Sequence, residues 1–220
     1  MCGRFSVISS KGTIEERFDV ILDDDDFKSV YNAAPTQSLP LITNLESKKV
    51  NFFKWGLIPF WAKDQSLATK MINARAETIL EKPAFKNLIQ GKRCLVISDG
   101  FYEWKQLPGS KKQPYRITLK DNGLFAYAGL WDEWKDPVGK QINSFTIITT
   151  DPNELMRHIH NRMPVILKKE HEKKWLSNNS DIQEILQLLQ AYPADLMQAY
   201  PVSTLVNLPA NNDEKVLLPV

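Results

Sequence analysis

The sequence is poor in residues that staple a fold or bind metal: two cysteines and three histidines in 220 residues. Two cysteines cannot build a disulfide framework, which excludes the small secreted class and points to a reducing, cytoplasmic compartment. No CxxC or HExxH spacing occurs, so a zinc site assembled from His158, His160, Cys2 or Cys94 is disfavoured, and no metal or cofactor is expected. No apolar run approaches the ~20 residues of a membrane span, and no signal-peptide pattern opens the chain. Charge of one sign is also lacking. The 28 Lys and Arg against 26 Asp and Glu leave a formal +2, too little by itself to select an acidic partner. With 43% hydrophobic residues the chain can bury one substantial core, and without repeats or low-complexity linkers it is expected to form one domain over residues 1–220 and to act as a monomer.

What is there begins at the second residue. Removal of Met1 from Met1-Cys2-Gly3-Arg4-Phe5 leaves Cys2 with an α-amine and a thiol on adjacent carbons, a 1,2-aminothiol. An aldehyde condenses with that pair as an imine, and sulfur then closes onto the same carbon as a thiazolidine. An α-amine titrates near ~7.7–8.0 and a thiol near ~8.5, so both nucleophiles are accessible near neutrality. On position alone, Cys2 reads first as a small buried residue beginning an N-terminal strand.

Thr13-Ile14-Glu15-Glu16 has a capping-box pattern and predicts a helix to about Leu22, ended by the acidic run 23–26. Strands are predicted at Leu39–Thr43, Val50–Trp55, Arg93–Trp104, Tyr115–Leu119, Leu124–Leu130 and Ser144–Thr149. Helices are predicted at Pro83–Ile89, after Asp151 as N-cap with Pro152 in the first position, at Lys169–Leu176 and at Asp181–Leu189. Strands and helices do not alternate regularly. An α+β domain follows, with a curved, mostly antiparallel, barrel-like sheet flanked by helices.

Within Asp99-Gly100-Phe101-Tyr102-Glu103-Trp104, strand alternation sets Glu103 on the face of Phe101 and between the bulky Tyr102 and Trp104. A carboxyl so placed loses water, its pKa rises, and it can both give and take a proton near neutrality; an edge-strand glutamate facing solvent is the alternative. Pro164 disfavours helix just before it, so His160 is expected on a helix-to-strand turn. Asn73-Ala74-Arg75-Ala76-Glu77 admits two readings: a salt-linked strand end, or a phosphate contact by Arg75 beside an orienting Asn73. Trp55-Gly56-Leu57-Ile58-Pro59-Phe60-Trp61 and Tyr31-Asn32-Ala33-Ala34-Pro35-Thr36 put rings into predicted loops, as a single-strand stacking platform would. Trp131, Trp134, Trp175 and the Cys94 thiol are expected in the core.

MCGRF, YNAAPTQ, WGLIPFW, NARAET, RCLVISDGFYEW, AGLW and HNRMPVIL, in this order over residues 2–167, resemble the SOS response-associated peptidase family. The resemblance implies binding to single-stranded DNA, recognition of abasic sites and a thiazolidine link from Cys2 to the ring-opened aldehyde. It further implies that Asn73 holds the Cys2 amine or the sugar, that Glu103 moves protons and that His160 assists imine formation and ring opening. Arg4, Arg75 and Arg162 would contact phosphate or stabilise the motifs, with Pro40 and Trp104 near displaced bases. Self-removal of Met1 would use Cys2, Glu103 and His160, and association with the nucleoid would accompany DNA binding. The partner-binding tail motifs of longer members are not expected. A thiol peptidase acting on other proteins and a noncovalent reader of single-stranded or modified DNA are the competing functions.

Overall fold

The computed structural model describes residues 2–24 and 27–220; Met1 and its removal, and the second half of the acidic run, lie outside them. Two sheets carry the fold. The five strands β1 (Phe5–Val7), β2 (Val30–Ala33), β7 (Gly100–Gln106), β8 (Lys112–Leu119) and β13 (Met197–Pro201) lie in the order β13-β8-β7-β1-β2. The second sheet runs through β10 (Gln141–Thr150), β4 (Val50–Trp55), β3 (Ser38–Thr43), β6 (Arg93–Ser98) and β9 (Phe125–Lys135), and β9 pairs back onto β10. These five strands form a closed ring, antiparallel everywhere except at the parallel β4–β10 pair. Short strands extend it: β5 (Asn73–Arg75) and β11 (Met163–Pro164) on β10, and β12 (Ile166–Leu167) on β9. The α+β, barrel-like class is the observed one.

The closed ring is filled by aromatic rings in tilted, edge-to-face and stacked contact. Phe5 lies 4.9 Å from Trp55 and 5.7 Å from Tyr127, and Trp55 stacks on Phe145 at 6.4 Å. Such pairs add roughly 0.5–1.5 kcal/mol each to the burial of their surfaces. Trp55, expected in a loop platform, is therefore a core residue at the end of β4. Cys94, Trp131, Trp134 and Trp175 are buried. Gly129 lets the strands close: a Cβ there would sit 2.8 Å from Cys94 Sγ and 3.1 Å from the Thr146 carbonyl.

Several element boundaries differ from expectation, each for a local reason. The run Arg93–Trp104 is two strands, because the chain bends at Asp99, whose carboxylate accepts from Ser6 Oγ and the Ile8 N–H and so leads β7 into the other sheet. Helix α1 (Lys11–Phe18) opens at Ser10, whose Oγ accepts the Thr13 N–H, and ends at left-handed Asp19. Helix α2 is confined to Leu88–Gly91, with turns before it. Helix α3 (Glu154–Arg157) is capped by Asn153, not Asp151: Asn153 Oδ1 accepts the Met156 N–H at 2.9 Å while Asp151 bonds Arg162. Helices α4 (Lys169–Leu176) and α5 (Ile182–Gln187, with Asp181 as cap) close the last third. Among the described residues, no helix is long and apolar enough to cross a membrane.

Gly56 adopts φ +119°, and a Cβ there would fall 2.4 Å from the Ala68 carbonyl oxygen. Gly56→Ala is expected to destabilise the fold by well over ~1 kcal/mol, since strain and overlap act together. Thermal unfolding monitored by circular dichroism checks this; an unchanged midpoint would contradict it.

Candidate active site

The site is assembled where β1 is clamped between β2 and β7. Phe5 is in register with Ala33 on one side and Phe101 on the other, and the Tyr102 N–H donates to the Arg4 carbonyl at 3.0 Å. That pairing carries Cys2, just before β1, to the neighbourhood of Glu103 on β7. Cys2 is fully buried, its Sγ 3.9 Å from the Arg4 carbonyl oxygen. Burial, reinforced by the nearby Glu103 carboxylate, pushes the thiol well above the usual cysteine range. The resting sulfur is thus a protonated thiol.

Alternation along β7 sorts its side chains as strand geometry requires. Phe101 enters the main core, whereas Tyr102 and Trp104 pack on the other face with Val202, Val206 and Val216. Glu103 is 2% exposed. Burial raises its carboxyl above the ordinary range, and the positive charge available to His160 opposes the rise. His160 follows α3 on the turn into β11, and its Nδ1 accepts the Arg162 N–H at 3.0 Å. The Arg162 carbonyl is more distant, at 3.3 Å. With Nδ1 accepting, the neutral ring carries its proton on Nε2. Asn73 on β5 donates from Nδ2 to the Cys2 carbonyl at 2.9 Å, while its buried Oδ1 has no hydrogen-bond partner among the described residues. Cys2, Asn73, Glu103 and His160, separated by up to 158 positions, converge on one place.

A groove of 560 Å³ opens beside Asn73, with Lys70, Arg75 and Lys82 in its walls and the rings of Trp61 and Phe85. Among the described residues, its lining holds three cations and no carboxylate. Trp61 is 49% exposed and the adjacent Phe60 66%. A larger cleft of 610 Å³ lies against α1 and α4, but there Arg17 is paired bidentately with Glu172 and Lys48 with Asp19. The first cleft is the electropositive one, and Asn73 joins it to Cys2.

The other expected contact residues are occupied differently. Arg4 donates to Asn32 Oδ1, the Val206 carbonyl and the Asn207 carbonyl, so its guanidinium ties β1 to the C-terminal segment. Arg162 bonds Glu77 bidentately at 2.8 and 2.9 Å, Asp151 at 3.0 Å and the Thr149 carbonyl at 2.7 Å. Both guanidiniums are thus engaged within the protein. Trp104 is half-buried and donates from Nε1 to Asn207 Oδ1. Pro40 is buried within β3 opposite Phe52, which leaves a base contact there without an exposed surface. Arg75 alone of the three arginines is exposed and unburdened by an ion pair among the described residues. Lys70, Lys82 and Phe85 were not singled out from the sequence; Lys70 ends the 3₁₀ helix Gln65–Lys70, and Lys82 and Phe85 lie in the turns before α2. No cluster of three or more His, Cys, Asp or Glu able to hold a metal occurs among the described residues.

Comparison with known proteins extends beyond the motifs. Residues 1–209 match the model of the SOS response associated peptidase family. The abasic site processing protein YoqW of Bacillus subtilis is 48% identical over 221 residues, covering 99% of both chains. The abasic site processing protein HMCES of Mus musculus is 35% identical over 237 residues, covering 90% of this chain and 67% of its own. A crystal structure of a protein from Bacteroides thetaiotaomicron superposes with a TM-score of 0.91 at 34% identity over the full length of both chains. One from Bordetella bronchiseptica gives 0.80 at 25% identity, covering 92% of this chain and all of its own. With the fold, the motif order and the relatives in agreement, this chain belongs to the SOS response-associated peptidase (SRAP) family.

Proposed function

We propose that this protein processes abasic sites in DNA, binding the single strand and linking Cys2 to the ring-opened sugar aldehyde as a thiazolidine. The observation that carries the proposal is the convergence of a buried Cys2, a water-excluded Glu103, His160 and Asn73 beside a cationic, aromatic-walled groove. The relatives' names supply the lesion; the chemistry follows from the residues.

Once residue 2 has a free amine, its nitrogen attacks the aldehyde carbon to give a carbinolamine. The Asn73 Oδ1 is placed to accept from that amine while Nδ2 holds the Cys2 carbonyl. Glu103, its pKa raised by burial, gives a proton to the departing hydroxyl, which leaves as water with formation of the imine. That imine keeps the carbinolamine N–H and is therefore an iminium; the Glu103 carboxylate takes the thiol proton, sulfur bonds to the iminium carbon, and the C=N electron pair returns to nitrogen, leaving Glu103 protonated as it began. The net change is amine, thiol and aldehyde to thiazolidine and water. Closure matters because an open imine permits β-elimination and strand breakage. A thiol kept protonated until this step is spared oxidation while the site is idle. His160, with its proton on Nε2, is suited to imine formation and, in the reverse sense, to protonating the ring for opening. Self-removal of Met1 by the same groups completes the proposal.

Incubation with an abasic single strand, resolved on a denaturing gel and by mass spectrometry, tests it. The expected product is a DNA adduct on residue 2. Binding without an adduct would favour a noncovalent reader, and cleavage of added peptides a general peptidase. The groove makes a separate prediction. If Lys70, Arg75 and Lys82 each neutralise one phosphate, log K should fall with log salt at a slope of about −2, at ~−0.7 per phosphate on a single strand. Arg75→Gln or Lys82→Gln should each reduce that slope by about 0.7 in a fluorescence anisotropy titration. A flat salt response would remove the groove from the account.

A further inference from the structure

Arg162 and Glu77 are 85 positions apart and hold together the two segments that deliver Asn73 and His160. Glu77 lies in the short 3₁₀ turn Ala76–Thr78 that directly continues β5, the strand of Asn73. β5 runs parallel to β10, with Asn73 opposite Ile147 and Arg75 opposite Thr149. Arg162 sits two residues beyond His160, its backbone N–H on His160 Nδ1 and its guanidinium on both Glu77 oxygens and the Thr149 carbonyl. The guanidinium plane thus fixes three things at once: the end of β10, the turn after Asn73, and the backbone donor that orients the histidine ring. Bidentate arginine–carboxylate pairs constrain direction as well as distance. The Arg162 side chain is only 12% exposed, and Arg162 holds the Glu77 carboxyl below the ordinary range, so the pair persists throughout the neutral region.

We propose that Glu77 is a positioning residue: acting through Arg162, it sets Asn73 and His160 relative to one another for the covalent step, without touching DNA. The inference rests on the thiazolidine reading for its consequence, though not for its geometry. It differs in outcome from a role for Arg162 as a phosphate contact. In that role Glu77 competes with DNA for the guanidinium, and its loss would strengthen binding and leave the chemical step intact. A positioning role predicts the converse. Small displacements of reacting groups cost rate far more than affinity.

Glu77→Gln decides between them, with Glu81→Gln as the control; Glu81 is an exposed neighbour that carries the same charge and makes no ion pair with Arg162. Three quantities are measured on each: affinity for an undamaged single strand, the single-turnover adduct rate with an abasic strand at saturating protein, and the ring ¹⁵N shifts of His160. For Glu77→Gln the saturating rate is expected to fall roughly 10–10²-fold with strand affinity within twofold of wild type. The His160 Nδ1 shift should move from that of an unprotonated acceptor toward an average of the two tautomers. Glu81→Gln should match wild type in all three. A Glu77→Gln rate equal to wild type at saturation, a rate loss fully recovered by excess protein, or an equal loss in Glu81→Gln would overturn the proposal. If the wild-type protein itself forms no adduct, the functional reading fails. The nitrogen shifts then decide the clamp alone, and an unchanged His160 tautomer in Glu77→Gln rejects it.

Discussion

Cys2→Ala is expected to abolish the covalent adduct while leaving affinity for an undamaged strand within about twofold of wild type. The two properties rest on different parts of the molecule. Cys2 is fully buried just before β1, whereas the cations and rings that would hold a strand line the groove beside Asn73. Alanine keeps the α-amine, so an imine remains chemically accessible and should appear only when borohydride traps it. Serine should behave in the same way, because a hydroxyl does not compete with thiol for the imine carbon. A persistent adduct in Cys2→Ala without reductant would show that the nucleophile lies elsewhere. Lys70 and Lys82 in the groove are the amines to examine in that event.

Glu103→Gln is expected to slow adduct formation by roughly 10²–10⁴-fold, the usual contribution of general acid–base catalysis, with strand affinity unchanged. Glutamine matches the shape and accepts hydrogen bonds but cannot change protonation state. The same substitution should affect stability in the opposite direction. Burial raises the folded-state pKa of Glu103, so the unfolded chain ionises this carboxyl more readily than the folded one. Its favourable share of stability is therefore complete at acid pH and is lost as pH rises through the folded value. Relative to wild type, Glu103→Gln should have an equal melting temperature at acid pH and a higher one at neutral and alkaline pH. A variant that is both slower and more stable would identify a carboxyl retained for chemistry. Crosslinking at the wild-type rate would remove Glu103 from the proton path. His160→Ala should slow adduct formation less than Glu103→Gln and should retard transfer of DNA from a preformed adduct to competitor strand.

Parts of this site were legible in the sequence because they depend on local periodicity. Alternation over Phe101–Trp104 sets Glu103 on the face of Phe101, leaving a solvent-facing edge as the alternative, and Pro164 is enough to end α3 before His160. The class of fold was legible for the same reason, from strand-like segments without regular helical alternation. Closure of the barrel was not, since it depends on the parallel β4–β10 pair, which joins segments 90 positions apart with no local trace. The bend at Asp99 lies in Ser98-Asp99-Gly100, a turn-like triplet set between the strand-like runs Cys94–Ile97 and Phe101–Trp104, and its bonds to Ser6 and Ile8 fix it. Asp151 and Asn153 are both competent caps; Arg162, from the turn beyond α3, takes the first and leaves the second. Arg4 and Arg162 illustrate the general difficulty. An arginine in a motif declares that it will be bound, and the partner is set by whichever carbonyl or carboxylate the fold brings near.

The union of Arg4 with the carbonyls of Val206 and Asn207 also governs time. Tyr31 and Asn32 are held by Asn212, and Asn32 in turn by the carbonyls of Leu208 and Asn211, so the strand at the front of the chain is secured by its last turns. On a ribosome adding ~5–20 residues per second, roughly 10–40 s separate Arg4 from the residues that grip it. The segment that carries Cys2 is thus made well before the residues that secure it, and until residues 206–212 emerge it lacks the contacts that hold β1 and β2 in place.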